Sequence, residues 1–357
     1  MSFNQQDIFY LSKTLELAEK GRGMVAPNPL VGALWTSDDG TAIWGEGFHQ
    51  RYGGAHAEVW AIEGKESEGV SGGTLYCNME PCVHTNKQTP PCVDLIIRKK
   101  IQRVVIILTD PNPLVNGDGL KKLAENGITV SALERIDPQH HLVQAAKKQN
   151  EIFIHFMQKQ RPFIHLKWAQ TLDGQLATSS GDSKWITSEA ARKEAHRLRA
   201  KYQAVLVGTN TVITDNPKLN VRYGLGDQQP YRIIIGTNNL REIPYPLQIL
   251  TDELKERTLL FNPADFPSLH CMLVEIGKQK ISSILVEGGG YTLTQFLKEH
   301  LADKITVFIA PKIIGKGLGI DSLGIEKMSD ALVFHEQQLQ LKILDNDHFI
   351  FTGYPKY

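Results

Sequence analysis

Strand-like and helical segments alternate along this chain, and the alternation starts twice. In the first half, the continuous apolar run 104–108 is typical of a buried parallel strand, and the apolar spacing of 5–20 predicts a helix. A polar stretch then ends at Arg161-Pro162, after which a second alternation begins that does not repeat the first. Because alternating strands and helices form sheets covered by helices, we expect two unrelated α/β domains, 1–160 and 161–357.

Hydrophobic periodicity and turn residues define the other expected elements. We predict further strands at 31–35, 43–47, 74–77, 128–132, 163–168, 204–207, 232–235, 283–286 and 305–309, antiparallel strands within 332–352, and helices from 57 and at 93–99, 119–126, 142–158, 188–200 and 292–300. The first half therefore reads as a three-layer βαβ-rich unit.

The charge balance restricts the partners of the protein. Lys plus Arg and Asp plus Glu both number 39, so 39 − 39 gives a formal charge of zero. This balance argues against a general nucleic-acid or membrane-surface binder. No apolar run approaches the roughly 20 residues of a membrane span, and the amino terminus lacks the pattern of a signal peptide. We expect a cytoplasmic enzyme whose four cysteines are thiols or metal ligands.

One histidine and two cysteines have the pattern of a catalytic zinc site. His56-Ala57-Glu58 is followed by Glu80-Pro81-Cys82 and by Pro91-Cys92. Such sites use three protein ligands, here His56, Cys82 and Cys92, and leave the fourth position to water. Glu58, two residues after the histidine at a helix start, can move a proton between water and a leaving amine without ligating the metal. Zinc nucleobase deaminases use this H-x-E…P-C arrangement.

Other cysteines offer alternatives to this ligand set. A His-x-Glu pair alone is common, and two cysteines alone can be core thiols; the proline before each cysteine and the strand-helix context favour the metal. Cys77 is the main rival ligand, but its apolar neighbours predict a buried core thiol. Cys271, in the apolar helical segment 269–276, is predicted to be buried in the same way.

The second half lacks the G-x-G-x-x-G fingerprint after its first strand. Its strongest phosphate signal is the strand 283–286, followed by Gly288, Gly289 and Gly290 and a helix. Glycines permit close approach of a pyrophosphate, and a helix start offers free N–H groups, although such turns also simply close loops. The glycine-rich segment 315–319 is predicted to be a flexible loop.

The first half resembles the deaminase part of the RibD family of bifunctional riboflavin biosynthesis enzymes. The resemblance rests on the zinc motifs together with Pro27-Asn28-Pro29, Gly45-Glu46-Gly47-Phe48-His49, Asp110-Pro111-Asn112-Pro113 and Thr89-Pro90-Pro91-Cys92. It implies a cytidine-deaminase-like three-layer α/β/α domain. Asn28 and His49 would line the pyrimidine and ribose pocket, and the loop with His84 and Lys87 would hold the phosphate. This loop is one residue longer than usual, and Gln88 stands where the family has a basic residue.

The second half resembles the reductase part of the same family, which is related to dihydrofolate reductase and uses NADPH. The matching motifs are Lys167-Trp168-Ala169-Gln170-Thr171-Leu172-Asp173-Gly174, Ser183-Lys184-Trp185-Ile186-Thr187, His196-Arg197-Leu198-Arg199 and Thr211-Val212-Ile213-Thr214-Asp215-Asn216-Pro217. By this resemblance the cofactor contacts are Ala169, Trp185, Thr211, Asp215, Thr237, Gly289, Gly290, Tyr291, Thr292, Leu293, Thr294 and Gln295. The substrate contacts are Ser183, Arg199, Leu219, Arg222 and Glu287, with Lys167 nearby. Taken alone, each arginine is more often a solvated helix or loop residue, but with the resemblance both suit a ribose phosphate.

The resemblance covers about residues 5–352 and implies two consecutive reactions. Zinc-dependent deamination of 2,5-diamino-6-(5-phosphoribosylamino)pyrimidin-4(3H)-one would be followed by NADPH-dependent reduction of the ribosyl group, and the protein would be a dimer or tetramer. One alternative is a tRNA-type base deaminase with an appended domain, which activity on oligonucleotides would favour. The other is a non-catalytic binding protein that retains the fold, against which the intact zinc motif argues.

Overall fold

The computed structural model describes residues 3–64, 70–83, 90–112, 116–183, 186–225, 228–236, 240, 243, 245–345 and 348–357. These residues fall into two compact units, 1–160 and 161–357. Every helix described is too short or too polar to cross a lipid bilayer.

The first unit has five strands and seven helices among its described residues. The strands are β1 (Gly32–Thr36), β2 (Ile43–Phe48), β3 (Thr74–Met79), β4 (Arg103–Leu108) and β5 (Thr129–Ala132). The helices are α1 (Gln5–Glu19), α2 (Ala57–Glu63), α3 (Cys92–Arg98), α4 (Asp118–Glu125), α5 (Leu133–Ile136), α6 (His141–Gln149) and α7 (Glu151–Lys159). The sheet order is β2-β1-β3-β4-β5. β1 runs antiparallel to β2 and β3, whereas β3, β4 and β5 are parallel.

Helices cover both faces of this sheet, as the alternation predicts. In β4, Val104 and Ile106 pack with apolar residues of α2, α3 and α4. Their neighbours Val105 and Ile107 point to the other face, where α1 and α6 pack. The expected three-layer architecture is confirmed, and it brings the starts of α2 and α3 to the carboxyl end of β3.

The prediction of a single helix over 142–158 is wrong, because the chain forms two helices separated at Asn150. The Asn150 side chain accepts a hydrogen bond from the Leu30 N–H at 2.8 Å and donates one to the Leu30 carbonyl at 3.0 Å. Asn150 itself lies outside helical geometry, with φ −105° and ψ 19°. A contact 120 residues away along the chain therefore sets this break, and helical periodicity does not reveal it.

The second unit is built on an eight-stranded sheet. Its strands are β6 (Phe163–Thr171), β8 (Ala204–Gly208), β9 (Tyr231–Ile235), β10 (Thr258–Phe261), β11 (Ser283–Val286), β12 (Lys304–Ala310), β15 (Gln340–Leu344) and β16 (His348–Gly353). Two short pairs of strands lie outside this sheet. β7 (Ala177–Thr178) pairs with β13 (Gly317–Leu318), and β14 (Val333–Phe334) pairs with β17 (Pro355–Lys356). The helices are α8 (Glu189–Arg199), α9 (Thr209–Asp215), α10 (Gln248–Thr251), α11 (Leu269–Lys278) and α12 (Gly290–Lys298).

The central strands of this sheet are parallel and one edge is antiparallel. The order is β10-β9-β8-β11-β6-β12-β16-β15, and β16 runs antiparallel to both β12 and β15. The predicted antiparallel strands near the carboxyl end are thereby confirmed. The loop predicted at 315–319 contains β13 instead, because Gly317 and Leu318 pair with β7. The strand pattern did not identify β10, which is a partly exposed edge strand.

Candidate functional site

Three side chains converge beyond the carboxyl end of β3, the central strand of the first sheet. His56 Nδ1 lies 3.5 Å from Cys82 Sγ and 3.4 Å from Cys92 Sγ. All three ligand atoms lie within 4.8 Å of one another. One nitrogen and two sulfurs around a tetrahedral Zn²⁺ are separated by about 3.6 Å, so the donor types and spacing both fit zinc.

Local structure explains why these three side chains meet. His56 is the residue before α2, Cys92 is the first residue of α3, and Cys82 follows β3. The Cys92 N–H points to Cys82 Sγ at 3.3 Å. The positive ends of the two helices favour thiolates over thiols, which is the form that binds a metal.

Two glycines allow α2 to approach β2 closely. A Cβ at Gly45 would lie 2.1 Å from the Ala61 carbonyl oxygen, and one at Gly47 would lie 2.5 Å from the Ala57 carbonyl oxygen. Any other residue would push the helix away from the sheet. Since His56 and Glu58 belong to the start of this helix, Gly45 and Gly47 set the position of both.

Glu58 follows the metal ligand His56 by two residues and is buried. It lies in the first turn of α2 and is 3% exposed. Burial, with a smaller contribution from the Glu58 charge, raises the pKa of the Cys77 thiol well above its usual range. Cys77 is fully buried in β3, so it is a protonated core thiol as predicted.

The prediction that Cys271 is buried is wrong. Leu269, Met272, Leu273 and Ile276 form the buried side of α11, while Cys271 is exposed. The segment is apolar enough to suggest burial all round, but only one side of the helix meets the sheet.

Asn28 and His49, predicted to line the pyrimidine pocket, lie together beside His56. Asn28 Nδ2 is 3.1 Å from His49 Nε2, and His49 Nδ1 is 3.0 Å from the Ala55 carbonyl oxygen. The His49 and His56 rings lie edge to face, with their centroids 5.3 Å apart. Burial lowers the pKa of His49, and a neutral ring that donates from Nδ1 and accepts at Nε2 satisfies both contacts.

Sequence reasoning assigned no role to Glu80, although it precedes Pro81-Cys82. Its buried carboxylate accepts hydrogen bonds from the backbone N–H groups of Asp110, Gly117 and Leu120 at 3.0, 3.1 and 3.2 Å. It thereby ties the segment that leads to Cys82 to the chain after β4. The acidic residue before Pro-Cys was the available signal.

Four residues predicted to bind substrate or cofactor lie outside the described part of the chain: His84, Lys87, Trp185 and Thr237. Their predicted roles therefore stay predictions.

In the second unit, β11 leads through Gly288 and Gly289 into α12, as expected for the glycine-rich turn. A Cβ at Gly289 would lie 3.7 Å from Thr211 Oγ1, and a Cβ at Gly208 would lie 2.6 Å from Thr292 Oγ1. The turn therefore adjoins α9, which begins at Thr209 and ends at Asp215.

The side chains of the predicted cofactor turn differ in accessibility. Tyr291 is exposed, whereas Leu293 belongs to the sheet core and Thr294 donates to the Gly290 carbonyl oxygen at 2.7 Å. Gln295 is half-buried, as is Ala169 on β6. Only the backbone and the exposed side chains of this turn are available to a ligand.

A buried charge cluster occupies the carboxyl end of β11. Arg199 Nε and Nη2 donate to the two carboxylate oxygens of Glu287 at 2.6 and 2.9 Å, and Lys167 Nζ lies 3.7 Å from Glu287. Burial acts to raise the pKa of Glu287, but the Arg199 and Lys167 charges bring it down to about 2. Burial also lowers the pKa of Lys167. The cluster therefore holds an ionised carboxylate in a largely buried position.

Arg222 lies near this cluster but is oriented differently. Its side chain is exposed, and its Nε lies 3.2 Å from Nε2 of buried His196. Burial, followed by the Arg199 and Arg222 charges, lowers the pKa of His196 to about 4, so that the ring is neutral. Leu219 is buried in the same loop, while Ser183 is exposed.

Comparison with known families places both units. A family model described as the cytidine and deoxycytidylate deaminase zinc-binding region matches residues 4–108, and one described as the RibD C-terminal domain matches residues 162–345. The fold and the site thus define a zinc-binding deaminase joined to a reductase domain of the dihydrofolate reductase type.

Full-length relatives identify the family. The chain is 42% identical to riboflavin biosynthesis protein RibD of Aquifex aeolicus over 348 residues, covering 93% of this chain and 94% of that one. It is 36% identical to RibD of Escherichia coli over 365 residues, covering 94% and 96%. The structure of RibD from Acinetobacter baumannii matches with a TM-score of 0.87 at 33% identity, covering 99% of each chain. The chain belongs to the RibD family.

The predicted enzyme class follows from this membership. The protein is a bifunctional enzyme of riboflavin biosynthesis, with a deaminase that uses zinc and a reductase that uses NADPH. A structure from Thermotoga maritima, titled as a diaminohydroxyphosphoribosylaminopyrimidine deaminase and 5-amino-6-(5-phosphoribosylamino)uracil reductase, matches with a TM-score of 0.84 at 36% identity, covering 98% and 99%. These full-length matches do not favour a tRNA-type deaminase or a non-catalytic protein.

Proposed function

We propose that residues 1–160 deaminate 2,5-diamino-6-(5-phosphoribosylamino)pyrimidin-4(3H)-one. Residues 161–357 then reduce the ribosyl group of the product to give 5-amino-6-(5-phosphoribitylamino)uracil. The observation that carries this proposal is the convergence of His56, Cys82 and Cys92 at the start of the helix that contains Glu58, in a chain that matches RibD relatives over both units.

In the deaminase, His56, Cys82 and Cys92 would hold the zinc ion, which when bound would supply Lewis acidity that makes water a better nucleophile. Glu58 accepts the proton of the attacking water and delivers it to the departing amine. Its burial supports this role, because proton transfer is efficient where bulk water does not compete. Asn28 and His49 orient the pyrimidine, and the loop with His84 and Lys87 binds the phosphate.

In the reductase, the backbone N–H groups at the start of α12 bind the pyrophosphate of the cofactor. The N–H groups of Gly290, Tyr291 and Thr292 make this contact, since they precede the first bonded N–H of the helix, that of Leu293, which donates to the Gly289 carbonyl oxygen at 3.2 Å. Gly289, Leu293, Thr294 and Gln295 shape the same turn, and Ala169, Trp185, Thr211, Asp215 and Thr237 complete the cofactor site. NADPH supplies the hydride when bound, while the protein sets its orientation.

The charged residues of the second unit are suited to different parts of the substrate. Arg222, whose terminal nitrogens form no ion pair among the residues that the structure describes, suits the phosphate. Glu287, kept ionised by Arg199 and Lys167, accepts hydrogen bonds from ribose hydroxyls. Arg199 contacts substrate through the guanidinium N–H groups that Glu287 and the Asn220 carbonyl oxygen do not use. Ser183 and Leu219 line the remaining surface.

Mass spectrometry on the full chain tests this proposal. Without NADPH, we expect the diaminopyrimidine phosphate to release ammonia and gain about one mass unit, because oxygen replaces an amino group. With NADPH, the product gains about two more, from a hydride and a proton. A zinc chelator should stop the first step and spare reduction of the deaminated compound. Ammonia release that persists in chelated, metal-free protein would contradict the assignment.

We also propose that the protein is a cytoplasmic homo-oligomer, a dimer or tetramer, that acts on a small phosphorylated pyrimidine and on neither nucleic acid nor membrane. Thiolate ligands need a reducing compartment. In edge strand β15, Leu341 and Ile343 are 69% and 59% exposed and share one face, which is unusual unless another chain covers it.

Sedimentation velocity tests the oligomer. Replacing Leu341 and Ile343 together by Lys should shift the full chain toward monomer, because charged side chains disfavour burial of this face. The control is Gln340→Lys, on the opposite face of β15, which should leave the sedimentation coefficient unchanged. An unaltered coefficient in the double variant would exclude this face as the interface.

A further inference from the structure

Side chains from elsewhere in the second unit hold the backbone of the loop 216–222, which carries Leu219 and Arg222. Gln248 Nε2 donates to the Asn216 carbonyl oxygen at 3.0 Å, Arg232 Nη1 to that of Lys218 at 3.1 Å, and Arg199 Nη1 to that of Asn220 at 3.0 Å. The loop is not a helix or a strand, so these contacts rather than a regular backbone pattern define its shape.

The backbone of this loop needs such support. Leu219 has φ +49° and is 4% exposed, so a residue with a branched side chain occupies the left-handed region in a buried position. This conformation is unfavourable for any residue with a Cβ, and it persists where surrounding contacts impose it.

Gln229 makes the most complete of these contacts. Its Oε1 accepts a hydrogen bond from the Val221 N–H at 2.7 Å, and its Nε2 donates to the Val221 carbonyl oxygen at 3.1 Å. One side-chain amide thus satisfies both backbone groups of a buried residue, as a neighbouring strand would. Because Gln229 directly precedes Pro230 and β9, it joins the loop to the central sheet.

Val221 lies between the two proposed substrate contacts of the loop. If its backbone were free to rotate, Leu219 would lose its imposed conformation, and the Arg222 guanidinium would no longer be held next to His196 Nε2. A phosphate then has to order the loop as it binds, which weakens binding.

We infer that Gln229 is a positioning residue of the reductase site: it fixes Val221 so that Leu219 and Arg222 are preorganised for the phosphorylated substrate, without touching that substrate itself. This inference rests on the proposed substrate roles of Leu219 and Arg222.

Steady-state kinetics of the full chain with the deaminated substrate test the inference. Gln229→Ala should raise the KM for this substrate about tenfold, the effect of losing two hydrogen bonds that order a binding loop. The kcat and the Kd for NADPH, measured by fluorescence, should stay within about twofold, because neither depends on this loop contact. Gln229→Glu keeps the acceptor for the Val221 N–H but places a carboxylate oxygen against the Val221 carbonyl oxygen, so it should also raise KM.

Gln203→Ala is the matched control. The Gln203 amide also bridges backbone groups, since it accepts from the Ser282 N–H at 2.7 Å and donates to the Lys280 carbonyl oxygen at 3.2 Å, but neither partner belongs to the proposed site. The KM of the Gln203→Ala variant for the deaminated substrate should equal that of the unaltered protein. An equal rise in KM for Gln203→Ala and Gln229→Ala would reduce Gln229 to a structural contact and overturn the inference.

Arg222→Ala separates the inference from the function on which it rests. If Arg222→Ala raises KM and adding Gln229→Ala to it raises KM no further, Gln229 acts through Arg222 and the inference stands. If Arg222→Ala raises KM but Gln229→Ala does not, the inference fails while the substrate role of Arg222 survives. If Arg222→Ala leaves KM unchanged, the proposed phosphate contact is wrong and the inference falls with it.

Discussion

Glu58→Gln is expected to abolish ammonia release while the full chain keeps its zinc and its reductase activity. The glutamine side chain has nearly the same size, so it should fit the buried position in the first turn of α2 without disturbing His56. It cannot accept and return a proton, and loss of a general acid-base group lowers rates by about 10²–10⁴-fold. Zinc is measured by elemental analysis, ammonia release by a coupled assay, and reduction with the deaminated compound.

Glu63→Gln provides the matched control for this variant. Glu63 is the last residue of the same helix and forms an exposed ion pair with Arg98, at 3.0 Å. Because exposed pairs contribute little, Glu63→Gln should retain both activities. Loss of zinc from Glu58→Gln, or undiminished ammonia release with zinc bound, would refute the proton-transfer role of Glu58.

The fold was predictable where patterns are local. The helix at 5–20 and the strands at 43–47 and 104–108 correspond to α1 (Gln5–Glu19), β2 (Ile43–Phe48) and β4 (Arg103–Leu108), because each carries its own periodicity or apolar run. The break at Asn150 was missed because Leu30, far along the chain, provides its hydrogen-bonding partners. Exposure of Cys271 was missed because helix composition alone does not say which side meets a sheet.

The zinc site was easier to predict than the reductase site for a physical reason. Its residue types are restricted by metal chemistry, and His56, Cys82 and Cys92 stand out by identity and by their neighbouring residues. In the reductase, the family resemblance names Arg199 and Glu287 as substrate contacts, but it does not indicate that they pair with each other across 88 residues. The contact of Gln229 with Val221 has no sequence signature, since any loop glutamine could make it.

Because Arg199 pairs with Glu287, it stabilises the ionised form of that carboxylate as well as contacting the substrate. Its substitution should therefore have a large effect on reduction. Arg199→Ala should lower the rate of reduction by about 10²-fold, because it removes a proposed substrate contact and leaves the Glu287 carboxylate with Lys167 as its neighbouring cation. Loss of one partner of this largely buried ion pair should also lower the free energy of unfolding, by about 3–5 kcal/mol. Deamination should be unaffected, since Arg199 lies in the other compact unit.

The pH profile of reduction distinguishes loss of this support from loss of substrate contact alone. In the unaltered protein Glu287 stays ionised down to its pKa of about 2, against a usual 4.5. Without the guanidinium, burial raises the pKa of Glu287. The carboxylate then becomes protonated at a higher pH, and the acid limb of the profile moves to higher pH. Arg199→Lys, which keeps a charge but not the two parallel hydrogen bonds, should move the limb less. An unchanged acid limb in Arg199→Ala would mean that Arg199 does not control the Glu287 charge, and equal loss of both activities would mean that the substitution acts through misfolding.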